Sequence, residues 1–87
     1  LLKRGEMMHP IEQLLANNNT TTTDVESNTR LKEGSLQKII DKDIRTSDIS
    51  LRILSQIAIF LNTGADIIAK QLSDIEVVND LVFLIED

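Results

Sequence analysis

Thr21 with Asp24, Thr63 with Asp66 and Ser73 with Glu76 share one pattern: a hydroxyl residue, an acid three positions on, then aliphatic residues at helical spacing. In a capping box the hydroxyl accepts from the free backbone N–H groups of a helix's first turn. The acid lies near the positive end of the helix dipole. A chain punctuated this way reads as short helices joined by tight turns, and it carries no convincing strand alternation or internal repeat.

The apolar residues fill in those helices. Pro10 suits a first helical turn, where its missing N–H costs nothing. Ile11, Leu14 and Leu15 then fall on one face, and Asn17, Asn18 and Asn19 end the segment. The run "NNNTTTT" reads either as a flexible linker or as a turn plus a cap at Thr21; the apolar residues that resume at once favour the turn. Val25 and Leu31 point inward from a short polar helix, and Leu36, Ile39 and Ile40 form the next face opposite Gln37, Lys38 and Asp41. The strongest helix follows "DIRTSD", capped by Ser47 or Asp48. Ile49, Ile53, Ile57, Phe60 and Leu61 face inward, flanked by Leu54 and Ala58. Ile67, Ile68 and Leu72 face inward from the helix begun at Thr63. In the last segment Ile75, Val78, Leu81, Val82 and Ile85 fit a helix begun at Ser73, leaving Val77 and Leu84 off its stripe. Leu81, Phe83 and Ile85 also fit one face of a strand.

Eighty-seven residues, 41% of them hydrophobic, suffice for one small aliphatic core, with Phe60 and Phe83 the only aromatics. The chain has no cysteine, which removes disulfides, thiolate metal sites and cysteine nucleophiles and fits a reducing cytoplasm, the expected location. No apolar run approaches the roughly 20 residues of a membrane span. "LLKRGEMM" lacks the apolar region of a secretory signal. It also matches what a purine-rich ribosome-binding site would encode, so residues 1–6 are either non-native, with translation starting at Met7 or Met8, or a frayed native terminus. The expected organisation is a disordered or non-native extension over 1–8, a helical domain over 9–72 and a terminal helix over 73–87.

Residues 1–46 carry seven basic and seven acidic residues, whereas residues 47–87 carry two and seven, so the net charge of −5 belongs to the second half. A nucleic-acid surface, if present, belongs to the first. No catalytic triad, glycine-rich phosphate loop or calcium-loop spacing is present, and the acids read as a solvated surface. His9, the single histidine, reads as solvent-exposed. The chain is therefore expected to be no enzyme and to need no metal or cofactor.

Across roughly residues 9–72 the pattern resembles the lambda-repressor-like, Cro/C1-type (XRE) helix-turn-helix family. "IEQLLANNNTTTTDV" resembles its first helix, turn and second-helix start. "RLKEGSLQKII" resembles its turn and recognition helix, and Leu54, Ile57, Ala58 and Leu61 reproduce its Leu-x-x-Ile-Ala-x-x-Leu phrase. The chain departs from the family where Glu26 replaces a small Ala, Arg30 a turn Gly that favours positive φ, and Lys32 the Ser/Thr cap. The loop "DKDIRTSDIS" is about three residues longer than the common form, within what surface loops tolerate.

The resemblance implies an all-α compact bundle of five to six short helices and a small bacterial or phage-type transcriptional regulator that binds operator double-stranded DNA as a homodimer. By position, Lys32, Glu33, Ser35, Gln37 and Lys38 would be available to base edges, with Gln37 suited to adenine and Lys32 or Lys38 to guanine or phosphate. Thr21, Thr22, Arg30, Lys42 and Arg45 would contact phosphates, although Arg30 is better placed to pair with Glu26 at i, i+4. Val77, Leu81, Phe83 and Leu84 would form the dimer or partner surface. The alternative is a protein-interaction module that keeps this fold without DNA binding, as the acidic charge and the Glu26, Arg30 and Glu33 departures suggest.

Overall fold

The computed structural model describes the backbone of residues 8–86 and the side chains of residues 8–82. The expectation that residues 1–6 are non-native lies outside the described residues. Five α-helices and one 3₁₀ turn follow in order: α1 (Pro10–Asn17), α2 (Thr22–Ser27), α3 (Ser35–Asp41), the 3₁₀ turn (Thr46–Asp48), α4 (Leu51–Leu61) and α5 (Ala65–Glu86). No strand occurs among the described residues, so the strand alternative for residues 81–85 falls and the all-α bundle stands.

The Asn/Thr run is a stop followed by a start. Asn18 donates its Nδ2 to the Leu14 carbonyl at 2.8 Å, and Asn19 takes the left-handed conformation at φ 58°. Asn tolerates that region better than most residues. Two residues later the Thr21 hydroxyl accepts from the Asp24 N–H at 3.2 Å, capping α2. The run is thus a tight corner, and the flexible-linker alternative falls.

Each of the five helices puts at least one fully buried aliphatic into a shared core. Ile11 and Leu15 come from α1, Val25 from α2, Leu36 from α3, Ile57 from α4, and Ile68 and Leu72 from α5. Leu31 and Ile49 join it from the connections, while Ile53, Phe60 and Leu61 pack half-buried at its edge. At about 1.5–3 kcal/mol per fully buried aliphatic side chain, these side chains are the main driving force for the fold.

Four expectations change in the second half of the chain. Ser50, not Ser47 or Asp48, caps α4, its hydroxyl accepting from the Ile53 N–H at 3.3 Å, because Ser47 and Asp48 belong to the 3₁₀ turn. After Leu61 the axis turns by 101° through Asn62, itself left-handed at φ 58°. The next helix then starts at Ala65, two residues after Thr63, so Thr63 lies in the corner rather than at the cap. Ser73 starts nothing: α5 runs 22 residues without interruption, about 33 Å at helical rise. No Gly or Pro breaks it, and an exposed Ser inside a helix costs little. The division at residue 73 is therefore no structural boundary. Finally, Ile67, Val78, Leu81 and Val82, expected inward, are exposed.

Met8 also belongs to the fold rather than to a loose extension, since its carbonyl accepts from Asn79 Nδ2 on α5 at 3.4 Å. No single helix among the described residues is long and apolar enough to cross a membrane.

Candidate nucleic-acid interface

Helices α2 and α3 pack against each other across the connection of residues 28–34. Asn28 Nδ2 donates to the Asp24 carbonyl at 2.8 Å and the Thr29 hydroxyl to the Val25 carbonyl at 2.7 Å, which serves two of the four carbonyls at the end of α2. The Gln56 side chain on α4 accepts from the Arg30 N–H at 3.1 Å and pins the turn to the body of the molecule. Gly34 then stands at the start of α3 with φ 85°, a conformation that glycine adopts at little cost. The left-handed residue thus falls at Gly34 and not at Arg30, four positions earlier, where the resemblance places it.

Glu26 closes this unit. One carboxylate oxygen accepts from the Gly34 N–H at 3.0 Å and the other from the Leu36 N–H at 2.8 Å. The expected Glu26–Arg30 pair does not form, because the carboxylate is taken up by α3. Lys32 has no acceptor to offer as a cap, but its carbonyl accepts from both the N–H and the hydroxyl of Ser35, at 3.1 and 2.7 Å. Periodicity does not reveal this use of Glu26, since its partners lie eight and ten residues away.

The expected base-reading residues divide accordingly. Lys32 and Glu33 lie in the turn before α3, both exposed. Ser35 is half-buried, with its hydroxyl committed to Lys32. Gln37 and Lys38 are exposed on the outer face of α3, opposite buried Leu36 and Ile39, and Gln37 Nε2 donates to Asp41 Oδ1 at 2.9 Å.

Among the expected phosphate contacts, Arg30 and Lys42 are exposed, and Lys42 lies one turn beyond Lys38 on the same face. Thr21 is occupied with its own cap. The open cleft of about 210 Å³ that Thr21 and Thr22 line has the Glu12 carboxylate on its wall, which disfavours an anion there.

Arg45 does something else. Its guanidinium grips Asp80 through two hydrogen bonds, of 2.8 and 3.2 Å, and lies 3.4 Å from Glu76. The Asp80 hydrogen bond, with the charges of Glu76, Asp80 and Asp43, raises the guanidinium's pKa further against partial desolvation. Glu76, expected to cap a helix at Ser73, instead accepts from the Thr46 N–H at 2.9 Å. Arg45 is thus a clamp between the 3₁₀ turn and α5, and its guanidinium is engaged there rather than standing free for a phosphate.

Of the expected partner surface, Val77 and Leu81 are each 54% exposed, while the side chains of Phe83 and Leu84 lie outside the described residues. Val77 and Leu81 lie on the side of α5 opposite buried Ile68 and Leu72, Val78 extends the patch along its flank, and Val82 is exposed one heptad beyond half-buried Ile75. Comparison with family models, with curated proteins and with solved structures finds no match to this chain.

Proposed function

We propose that the chain is a helix-turn-helix DNA-binding module, a small transcriptional regulator of the lambda-repressor-like type, that presents the outer face of α3 to the major groove. One observation carries the reading. Lys38 on α3 and Lys42 at its C-terminal cap, with Arg30 and Lys32 in the preceding turn, make no ion pair among the described residues, whereas Glu76 and Asp80 of the acidic half are drawn to Arg45. Unpaired cations beside an exposed Gln37 suit phosphate positioning plus base reading. Glu33 and Asp41 on the same surface subtract from it, so binding depends on side-chain fit as well as on charge. The reading involves no catalytic step. Val77, Val78, Leu81 and Val82 would pair two copies, placing two recognition helices on successive half-sites.

A second reading, a protein-interaction module, draws on the same α5 patch, since exposed contiguous aliphatics mark partner surfaces. The two separate in a selection of bound sequences from a random duplex library. The wild type runs beside Gln37→Ala/Lys38→Ala at two salt concentrations, with sedimentation of the free protein in parallel. The regulator predicts a palindromic motif that the double variant loses. It also predicts a salt slope of about −0.9 per neutralised phosphate. Motif-free binding, equal in both proteins and erased by salt, leaves the interaction module.

A further inference from the structure

Resting on the reading of α3 as the recognition helix, we infer that Glu26 sets where that helix begins and so which side chains it can present to DNA. The N-cap position of α3 is Gly34, which has no side chain, Lys32 is a donor only, and the exposed Glu33 makes no cap to α3. A helix start nonetheless requires acceptors for its free N–H groups. Glu26, on the last turn of α2, supplies them from another helix, and its negative charge lies at the positive end of α3.

Two of the departures from the helix-turn-helix pattern, at Glu26 and Lys32, thus form one arrangement with Gly34. Lys32 gives up the local cap, Gly34 turns the chain at positive φ, and Glu26 caps the helix from Ser35 onward. Lys32 and Glu33 stay outside the helix, and the helical outer face opens with Gln37 and Lys38. Glu26 is a positioning residue: both carboxylate oxygens are taken up by the start of α3, and it acts through that helix.

The test compares the wild type with Glu26→Ala, Glu26→Gln and the double variant Glu26→Ala/Lys32→Ser, which restores a local cap. Amide hydrogen exchange at residues 33–38, circular dichroism and duplex selection are measured on each. Glu26→Ala is expected to lower protection of the Gly34 and Leu36 amides by about fivefold or more, the usual size of a lost cap, and to blur the selected motif. The double variant is expected to recover protection in the first turn and to select a sharp motif that differs from the wild type's. If Glu26→Ala fails to fold, Glu26→Gln decides, because its single acceptor oxygen serves only one of the two amides and the other loses protection. Wild-type protection at both amides in a folded Glu26→Ala overturns the inference, as does lost protection with an unchanged motif. A wild type that selects no motif removes the DNA reading instead, and the exchange data then decide alone whether Glu26 fixes the start of α3.

Discussion

Replacing His9 separates two bonds that one imidazole makes. The ring is only 7% exposed. Its Nδ1 accepts from the Ile11 N–H at 3.1 Å, capping α1. The proton therefore sits on Nε2, which donates to the Ile44 carbonyl at 2.8 Å, 35 residues along the chain. His9→Ala removes a helix cap worth about 1 kcal/mol. It also strips the Ile44 carbonyl of its donor, at about 1 kcal/mol more, and leaves a small void. The expected total is about 2–3 kcal/mol, or a fall in Tm of about 8–24 °C for a domain of this size. His9→Asn keeps a competent cap but is too short to reach Ile44, so it is expected to lose about 1 kcal/mol. Urea denaturation of both variants, read at constant m-value, measures the difference. If Asn and Ala cost the same, the Nδ1 cap contributes nothing. If neither costs more than about 0.5 kcal/mol, the size expected of an ordinary surface change, the latch between α1 and Ile44 is refuted altogether.

Two further perturbations probe the core and the clamp. Ile57→Ala, at a fully buried position on α4, is expected to cost about 2–5 kcal/mol by cavity formation in chemical denaturation; a cost under about 1 kcal/mol would mean that the aliphatic core collapses around the void. Arg45→Lys keeps the charge but replaces the two-pronged grip on Asp80 with a point contact, and faster amide exchange along residues 76–82 is expected, with unchanged helical content. Because the Arg45 pKa is raised on folding, its stabilisation is complete below the ordinary arginine value and is lost only as pH climbs through the raised one. The guanidinium itself therefore adds no pH dependence near neutrality, and a stability change there that vanishes in Arg45→Lys would contradict this.

Features governed by neighbours in sequence are legible in the amino-acid order alone. The α1 stripe, the Thr21–Asp24 cap and the Leu54, Ile57, Ala58 face depend on spacings of three and four residues, and they stand where the spacing puts them. Features governed by distant partners are not. His9 reads as exposed because its acceptor is the Ile44 backbone. Arg45 reads as a free cation because Asp80 lies 35 residues away. Glu76 has the spacing of a capping-box acid, yet its donor is the Thr46 N–H, 30 residues earlier. Periodicity also fails to say which of two apolar faces is covered. The late part of α5 carries aliphatics on both sides, and the inward side is chosen by α1, α4 and the 3₁₀ turn packed against it. At the candidate interface the positions of Gln37 and Lys38 follow from the helical stripe of Leu36, Ile39 and Ile40. The Glu26 cap does not, because a carboxylate reaching to the next helix leaves no short-range signature.

The long α5 also fixes the order in which this chain can assemble. It packs on α1, and residues 18–64 lie between the two helices. Joining them closes a loop of just over half the chain, and that entropy is spent before Ile68 and Leu72 can meet Ile11 and Leu15. Until then α1, α2 and α3, each eight residues or fewer, are too short to persist alone in water. Folding is therefore expected to await the docking of the final helix. The rate-limiting ensemble should already contain the α1–α5 contact, so core substitutions on these two helices slow folding, while those in the α2–α3 corner mainly hasten unfolding.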